Sequence, residues 1–341
     1  MPDVFFIELK EKKENLLKEV ALKITPLMDK FLNKKDSLAI KLHFGEEGNR
    51  NYISPIFVKA IYEKIKPKVS KTDLIECNVL YKSLRTLASS HIELAKKHGF
   101  NFAPIVIADG ENGDEEENIT INKKHFKEIK AGKALKNYNS ILGLAHFKGH
   151  MAAGFGGALK NIGMGLGSRA GKLAMHKAFQ LTVNVLKCTG CGICSENCPA
   201  NAITVKSVAH IDKEKCIGCA KCIAVCPNKA IRIPWGAASS SELQERIAEY
   251  AYGILKNKKA FYINYLLDIT PDCDCMDITQ KPFTENIGIL ASSDIIAIEQ
   301  ASLDLIGREK FIKVNGVNPQ AEVDYAEKLG LGSKKYNLIK I

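Results

Sequence analysis

Short apolar runs alternate with amphipathic stretches through the first 110 residues of the chain. The apolar runs predict strands over residues 4–9, 37–44, 72–76 and 102–108. Apolar positions at helical spacing predict helices over 12–33, with Pro26 as a bend or break, 54–66 and 87–98. Because each predicted helix connects two strands, this order indicates a mostly parallel, doubly wound sheet of the α/β class.

The same alternation returns later in the chain. Further strands are predicted over 119–121, 126–129, 140–147, 261–267, 287–290, 295–298 and 336–339. Further helices are predicted over 239–255, 299–306 and 320–329. Neither part of this pattern looks closed alone, so we expect one α/β core built from residues 1–182 and 236–341. Residues 183–235 then form a separate inserted domain.

Composition and charge narrow the class of protein. No run approaches the roughly 18 apolar residues that a membrane-spanning helix requires, and the first residues, MPDVFFIELKEKKEN, become charged too early for a secretory signal. We therefore expect a cytoplasmic protein without a membrane span. The formal net charge is +11, but no block of five bases occurs, so nucleic acid is not an expected partner. A basic surface favours acidic redox partners or anionic substrates.

Eight of the eleven cysteines fall into two copies of one pattern. The copies are Cys188-x-x-Cys191-x-x-Cys194-x-x-x-Cys198-Pro199 and Cys216-x-x-Cys219-x-x-Cys222-x-x-x-Cys226-Pro227. Other positions also match, such as Gly190 with Gly218, which indicates an internal repeat. Zinc sites and disulfides are the alternatives, but structural zinc sites usually pair two short C-x-x-C units. Three evenly spaced cysteines followed by Cys-Pro, twice, favour iron–sulfur clusters.

The cysteine repeat resembles the two-cluster bacterial-type ferredoxins. That resemblance implies two [4Fe–4S] clusters and an exchange of the fourth ligand, because in the bacterial run the fourth cysteine ligates the other cluster. The implied ligands of one cluster are Cys188, Cys191, Cys194 and Cys226. The implied ligands of the other are Cys216, Cys219, Cys222 and Cys198. The ferredoxin architecture further implies strands beside the clusters, over 203–205 and 231–233.

Eight of the 25 glycines fall between Gly149 and Gly171. Glycine lets the backbone approach a ligand and present its N–H groups, and open α/β sheets bind ligands in the loops beyond strand ends. The stretch matches neither a phosphate-binding P-loop nor the G-x-G-x-x-G dinucleotide motif. It predicts either an anion or substrate pocket, or a tightly packed crossing with solvated bases.

Basic side chains accompany these glycines. Under the pocket interpretation, the cations that bind an anionic group are Lys160, Arg169 and Lys172. The candidate catalytic residues are His146, Lys148, His150, Lys160 and His176. Neutral imidazole suits both proton transfer and metal ligation, so the histidines are predicted to be proton donors or metal ligands.

The remaining cysteines and an acidic loop give weaker signals. Cys273 and Cys275 follow a predicted strand within an acidic segment, 268–275, where they could bind a further metal ion, form a redox dithiol or remain as reduced thiols in a polar loop. Residues 109–117 carry six acids, which indicates a solvated loop, with a divalent cation site as the alternative. Cys77 is predicted to be a small buried side chain.

Three stretches carry a resemblance to a known family: 41–46 (KLHFGE), 146–172 and 271–275 (PDCDC). On these stretches the chain is similar to the uncharacterised iron–sulfur centre protein family, domain-of-unknown-function family 362, with a ferredoxin-type insert. That family has no settled reaction, so the resemblance implies an architecture more than a chemistry.

A second resemblance is more distant. The order Lys148, His150, glycine-rich turn, Lys160 and His176 is similar to the nickel-pincer lactate racemase group, whose members use His and Lys residues after such a turn. This chain lacks their full motif, and they lack the cluster cysteines.

The leading functional prediction is an oxidoreductase. Two [4Fe–4S] clusters would relay electrons from a redox partner protein, a ferredoxin or a reductase, to a pocket on the α/β core. The alternative is an electron carrier or assembly scaffold without a substrate of its own. A third interpretation makes the clusters structural or oxygen-sensing.

Overall fold

The computed structural model of the chain describes residues 1–9, 20–178 and 180–341. An eight-stranded sheet lies at its centre, in the order β16-β1-β15-β14-β7-β2-β3-β4. The strands are β1 (Asp3–Glu8), β2 (Ser37–Lys41), β3 (Lys71–Glu76), β4 (Ile105–Ile107), β7 (Ser140–His146), β14 (Lys259–Leu266), β15 (Gly288–Ser292) and β16 (Asn337–Lys340). Within this sheet, seven strands run in one direction and β15 runs against them. The predicted α/β class with a mostly parallel sheet is confirmed.

Helices cover both faces of the sheet. They are α1 (Pro55–Ile65), α2 (Ala88–Lys97), α3 (Ala158–Leu166), α4 (Arg169–Met175), α5 (Ile193–Glu196), α6 (Lys221–Val225), α7 (Ser240–Leu255), α8 (Ile295–Ile306), α9 (Arg308–Asn315) and α10 (Gln320–Lys328). Alternate side chains of β2 enter two apolar clusters: Ala39 joins the cluster of α3, α7, α8 and α10, whereas Leu38 and Ile40 join the cluster of α1. The sheet is therefore buried on both sides, as a parallel sheet requires.

The other strands of the described part of the chain form four two-stranded ribbons. They are β5 (Glu116–Thr120) with β6 (Glu128–Gly132), β8 (Lys148–His150) with β9 (Gly154–Gly156), β10 (Thr182–Val183) with β13 (Ile231–Arg232), and β11 (Ile203–Val205) with β12 (Ala209–Ile211). Short 3₁₀ helices lie at Thr25–Met28, Lys66–Lys68, Leu84–Thr86 and Lys133–Asn137. β7 pairs with β14, so strands from both sides of residues 183–235 contribute to one sheet. The domain boundaries at 183 and 235 stay a prediction.

Most predicted elements are present, with shifted ends. The predicted helix over 12–33 is helical at residues 20–24 and then becomes the 3₁₀ helix that contains Pro26, while residues 10–19 lie outside the described part. The strands predicted over 37–44 and 102–108 are shorter, ending at Lys41 and spanning only Ile105–Ile107. The elements that were not predicted are helices α3, α4 and α9 and strands β8, β9, β10 and β12.

The strand predicted over 295–298 is wrong, because these residues form the first turn of α8. The side chain of Asp294 accepts hydrogen bonds from the N–H groups of Ile296 and Ala297, both at 2.9 Å. An aspartate in this position caps a helix N-terminus. The apolar run after it is buried because the helix packs on the sheet, not because it is a strand.

The glycine-rich stretch is a ribbon followed by two helices and not a continuous loop. A Cβ at Gly163, inside α3, would lie 2.3 Å from the Ile247 carbonyl oxygen, and one at Gly171, inside α4, would lie 2.4 Å from the Lys130 carbonyl oxygen. These glycines let helices approach neighbouring backbone closely. Part of the glycine-rich stretch therefore serves helix packing and not ligand binding.

No helix in the described ranges is long and apolar enough to cross a membrane.

Candidate functional site

The carboxyl ends of four neighbouring strands meet at one edge of the sheet. β2 ends at Lys41, β3 at Glu76 and β7 at His146, and the loop that holds Cys273 and Cys275 follows β14. The chain leaves β2 toward β3 and β4 on one side, whereas β7 and β14 lie on its other side. Open α/β sheets bind ligands at such a reversal of strand order, so this edge is the candidate site.

Cys273 and Cys275 form a pair of thiols in this loop. Cys273 is 5% exposed, and the two sulfur atoms share a hydrogen bond. That bond, from Cys275, holds the pKa of Cys273 well below its ordinary value, and the ammonium groups of Lys160 and Lys148 add to this effect against burial. The same bond raises the pKa of Cys275, as does burial. The pair therefore carries one proton: Cys273 is the thiolate, and Cys275 donates to it.

Two lysines flank the thiolate. The Nζ of Lys160, on α3, lies 3.5 Å from the Sγ of Cys273. Burial would lower the pKa of Lys160, but the charges of Cys273 and Cys275 outweigh it and raise this pKa above its ordinary value. Lys148, on β8, passes the same glycine as Lys160: a Cβ added at Gly156 would lie 3.4 Å from Cε of Lys148 and 3.5 Å from Cδ of Lys160. The charges of both lysines act on Cys273.

Asp274, between the two cysteines, contacts bases instead of the thiols. Its Oδ1 lies 2.8 Å from Nδ1 of His146. Its Oδ2 lies 3.1 Å from Nζ of Lys148, an ion pair too bent to count as a hydrogen bond. Burial would raise the pKa of Asp274, but His146 and Lys148 outweigh it and hold the pKa well below its usual range. The carboxylate therefore fixes the cysteine loop to β7 and β8.

Two further histidines lie close to Lys160. Nδ1 of His150 accepts hydrogen bonds from the backbone N–H groups of 152–153, at 3.1 and 3.0 Å. His176 stacks edge-on against Trp235, with ring centroids 4.9 Å apart. Burial and then the charge of Lys160 lower the pKa of both rings, that of His176 to about 4. Both imidazoles are therefore neutral near pH 7, the form that accepts a proton or ligates a metal.

A buried charge network lies beside the thiol pair. The Glu76 carboxylate accepts hydrogen bonds from Nζ of Lys41, at 2.9 Å, and from Nη2 of Arg85, at 2.8 Å. Arg85 also contacts Nε2 of His43, at 2.8 Å, and Nε2 of His91, at 3.1 Å. Burial would raise the pKa of Glu76, but Lys41 and Arg85 outweigh it and hold the pKa well below its usual range. Glu76 therefore stays ionised inside the protein.

Tyr81 connects this network to the cysteine loop. Its hydroxyl lies 2.9 Å from Oε2 of Glu46 and 3.1 Å from the carbonyl oxygen of Cys275. Nη1 of Arg85 lies 3.6 Å from the same Glu46 oxygen. The network is therefore linked by hydrogen bonds and ion pairs to the backbone of the thiol pair.

Two acids are buried beneath Lys160. Oε1 of Glu299 accepts a hydrogen bond from the N–H group of Leu159, at 2.6 Å, and burial raises the pKa of Glu299 to about 8. Glu322 is fully buried, and neither of its carboxyl oxygens has a hydrogen-bond partner in the described part of the chain. Burial, and then the charge of Glu299, raise the pKa of Glu322 well above its usual range. Because both acids are protonated near pH 7, the charge of Lys160 is left to act on Cys273.

Arg169 and Lys172, the other predicted anion-binding cations, have different surroundings from Lys160. Lys172 donates to the carbonyl oxygen of Gly167 at 2.6 Å. Nε of Arg169 donates to the carbonyl oxygen of Asn112 at 3.0 Å. The three cations share none of these partners, and of the three Lys160 is the one that contacts Cys273. A joint anion site stays a prediction.

The eight cysteines of the insert line two separate cavities. One is lined by Cys188, Cys191, Cys194 and Cys226. The other is lined by Cys198, Cys216, Cys219 and Cys222. Backbone N–H groups donate to three of the sulfur atoms at 3.3 Å, from Ala209 to Cys188, from Ala202 to Cys198 and from Ala230 to Cys226. Burial raises the pKa of Cys222 to about 12.

The other predicted sites have ordinary structural explanations. Among the described residues, no group of three or more His, Cys, Asp or Glu side chains is arranged to hold a single metal ion. Most acids of 109–117 are exposed or half-buried, but Asp109 is buried and accepts a hydrogen bond from the N–H group of Asn78 at 2.8 Å. Cys77 is 1% exposed, with its Sγ 3.5 Å from the Leu166 carbonyl oxygen, so the predicted small buried side chain is confirmed.

Sequence reasoning missed several residues of this edge: Glu76, Tyr81, Arg85, Glu299 and Glu322. Glu76 gave a usable signal, since it is the charged last residue of a buried strand. The others occur in polar turns or helices, where a charged residue is normally solvated.

Comparisons with known proteins identify the family of this chain and two proteins of similar structure. No curated protein matches this sequence. The structure is similar to the lactate racemase apoprotein from Thermoanaerobacterium thermosaccharolyticum, with a TM-score of 0.42 and 14% identity, over 79% of this chain and 51% of that chain. It is also similar to a structural genomics target from Thermotoga maritima, with a TM-score of 0.41 and 10% identity, over 92% of this chain and 59% of that chain. The chain thus spans between half and two thirds of the length of these proteins.

The sequence itself matches one family model. The model is described as Domain of unknown function (DUF362), and it matches residues 38–304, well over half of the chain. The chain belongs to the DUF362 family.

Proposed function

We propose that this protein is an iron–sulfur oxidoreductase whose α/β core carries a redox-active dithiol at Cys273 and Cys275. One observation carries the proposal: Nζ of Lys160 lies 3.5 Å from Sγ of the buried Cys273, and Cys275, Lys160 and Lys148 hold the pKa of Cys273 well below its ordinary value. The thiolate is the reactive form of cysteine, and a neighbouring cation favours it. A polar loop without redox chemistry has no need of such a pair.

The insert supports two [4Fe–4S] clusters through its donor set. All eight of its cysteines are free of disulfides, four line each cavity, and backbone N–H groups point at three of the sulfur atoms. One cluster would be held by Cys188, Cys191, Cys194 and Cys226, and the other by Cys198, Cys216, Cys219 and Cys222. In a four-iron cluster each thiolate binds a different iron, so the sulfur atoms need not surround one ion. Bound there, the clusters supply one-electron transfer.

The chemistry of the dithiol balances as a two-electron exchange. On oxidation, the Cys273 thiolate and the Cys275 thiol form one S–S bond and release two electrons and one proton. Reduction reverses each of these changes. The ammonium group of Lys160 stabilises the thiolate that reduction regenerates, and Asp274, held by His146 and Lys148, keeps the loop in position.

The charges around the pair favour an anionic small molecule as substrate. Lys148 and Lys160 are balanced by the Asp274 carboxylate and the Cys273 thiolate in the reduced pair. Oxidation to the disulfide removes the thiolate and leaves the charge of Lys160 for an anionic substrate, since the two buried acids near it are protonated. His150 and His176 are neutral and half-buried, so either can exchange a proton with a bound substrate.

An external redox protein, a ferredoxin or a reductase, is the proposed electron donor. Leu186 is 93% exposed and lies two residues before Cys188, which supports docking of a partner near the first cavity. Free thiols and clusters persist in a reducing compartment, so we place the protein in the cytoplasm.

The alternative is an electron carrier or assembly scaffold without a substrate. The low exposure of Cys273, 5%, favours it, because a substrate has little direct access to that sulfur atom. In this alternative the thiol pair is structural and takes no part in electron exchange.

Reductive titration of the anaerobically purified full-length protein separates the two. Iron and acid-labile sulfide are measured first, and about eight irons per chain are expected. After mild oxidation of its thiols, the wild-type protein should take up about four electrons, one for each cluster and two for the disulfide. The double variant Cys273→Ser, Cys275→Ser should keep its iron and take up about two.

The matched control is Cys77→Ser, which removes a buried core thiol outside the pair and should leave uptake at about four electrons. Equal uptake by the wild-type protein and the double variant would remove the dithiol from the mechanism and favour the carrier. Zinc in place of iron would refute the cluster assignment.

A further inference from the structure

Arg169 is a fully buried arginine whose hydrogen bonding is incomplete. Its Nε donates to the carbonyl oxygen of Asn112 and its Nη2 to that of Thr86. Its Nη1 is buried and has no hydrogen-bond partner among the residues that the structure describes. A charged donor that is left unpaired inside a protein is strongly unfavourable, so a partner that is not part of the polypeptide is expected at this nitrogen.

The helix that carries Arg169 faces the insert. Leu173 lies four residues later in α4, on the same helix face. It belongs to an apolar cluster with Ala220 and Ile223 of the insert, against which Cys222 also packs. Arg169 is thus on the side of α4 that packs against the insert, next to residues such as Ala220 that line the second cysteine cavity.

The charged groups near Arg169 also relate it to the second cysteine cavity. If ionised, the thiols of Cys222 and Cys219 would favour the charged form of the Arg169 guanidinium. In addition, the Nζ of Lys221, next to Cys222, pairs with Asp114 at 3.0 Å, which ties the cavity wall to the 109–117 loop beside Arg169. Arg169 is therefore within the field of the thiolates that would bind the second cluster.

Asp109 is the competing partner. Its charge acts on Arg169 more strongly than those of the cysteines, but its own Oδ2 is buried without a hydrogen bond, as is Nη1 of Arg169. The two atoms therefore do not bond each other, and the position at Nη1 stays open.

We propose that Nη1 of Arg169 donates a hydrogen bond to a sulfur atom of the cluster held by Cys198, Cys216, Cys219 and Cys222, and thereby raises the reduction potential of that cluster above that of the other. This inference rests on the proposed function only in that both clusters bind. Cluster potentials depend on hydrogen bonds to sulfur and on nearby charge, and a buried guanidinium supplies both. It stabilises the reduced, more negative cluster, so an electron shared by the two clusters is found mainly on the one that faces Arg169.

A redox titration followed by electron paramagnetic resonance tests this on the full-length protein. The wild-type protein should show two distinct potentials. Arg169→Met should lower the higher one by at least a tenfold change in its reduction constant, about 59 mV for a one-electron couple, and leave the lower one in place. Arg169→Lys keeps the charge but loses the planar fork, so it should give a smaller shift of the same cluster.

Two controls locate the effect. Lys82→Met removes a cation that interacts with Cys226, a ligand of the first cluster, and should leave the higher potential unchanged. Asp109→Asn should also leave it in place or raise it, because it removes negative charge. A fall in the higher potential in Asp109→Asn as large as that in Arg169→Met would assign the effect to the Arg169–Asp109 pair and overturn the inference.

Iron content is measured in every variant. A wild-type protein without two clusters would refute the proposed function. Two clusters with unchanged potentials in both Arg169 variants would refute this inference alone. If Arg169→Met fails to retain iron, Arg169→Lys decides: a lowered higher potential supports the hydrogen bond, and an unchanged one refutes it.

Discussion

Cys273 in the core and Cys222 in the insert are both cysteines, but the protein shifts their pKa values in opposite directions. The pKa of Cys273 lies well below its ordinary value because of the hydrogen bond from Cys275 and the charges of two lysines. The pKa of Cys222 is raised to about 12 by burial. The core therefore ionises Cys273, whereas burial in the insert keeps Cys222 protonated.

The neighbours of each site explain this difference. Around the core thiols, cations are held in place by acids, such as Lys148 by Asp274 and Arg85 by Glu76. Around the insert cysteines, the packed side chains are apolar, including Ile203 and Ile223. Fixed charges around the core thiols lower the pKa of Cys273. The apolar side chains around the insert cysteines give no such effect.

Replacing Arg85 should have the largest effect on the charge network of the core. Arg85→Met leaves the buried carboxylate of Glu76 with Lys41 as its remaining ion-pair partner. Removing one member of a buried ion pair costs about 3–5 kcal/mol, so the free energy of unfolding, measured by urea denaturation, should fall by about that amount. Arg50→Met, at an exposed position, should change it by less than about 0.5 kcal/mol. Equal midpoints for the two variants would show that the network does not support the site.

The same contrast explains what could be predicted from the sequence. The insert cysteines are close in sequence, so their spacing and the ferredoxin resemblance imply the two sets that line the two cavities. Buried parallel strands also give strong local signals, and the α/β sheet follows from them. Local patterns of this kind do not require knowledge of distant contacts.

The core site depends on contacts that no local pattern encodes. Lys160 and Cys273 are 113 positions apart in the chain, and Arg85 belongs to a short 3₁₀ turn that reads as a solvated loop. The rule that ligands bind at the carboxyl ends of strands brings the two loops to one edge, but it does not identify which charges are buried. The error at 295–298 has a different origin, because the Asp294 cap is a local signal that the apolar run after it obscured.

A second test concerns Glu299, a buried acid of the core that stays protonated near pH 7. Its pKa rises from an ordinary value of 4.5 to about 8 in the folded protein. The folded state then binds more protons than the unfolded state between these values, so this contribution to stability is complete below pH 4.5 and is lost as pH rises toward 8. The loss is at most about 1.4 kcal/mol per pH unit.

Glu299→Gln should therefore flatten the pH dependence of unfolding between pH 5 and 8, measured by urea denaturation at several pH values. Glu309→Gln, at an exposed position, should keep the wild-type slope. If Glu299→Gln keeps that slope as well, then Glu299 is ionised in the folded protein, and its charge would offset that of Lys160.

The smallest expected effect tests the cation that distinguishes Cys273 from the insert cysteines. Lys160→Met removes an ammonium group 3.5 Å from the Sγ of Cys273, while the hydrogen bond from Cys275 remains. The pKa of Cys273 should rise by roughly one unit, about 1.4 kcal/mol. The thiolate is present above this pKa, so at a fixed pH below the new value alkylation of Cys273 by iodoacetamide, followed by mass spectrometry, should slow about tenfold. Lys177→Met, at an exposed position, should leave the rate profile unchanged. An unchanged profile in Lys160→Met would mean that Cys275 alone ionises Cys273, and the contrast between core and insert would then rest on the paired thiols and not on the lysine.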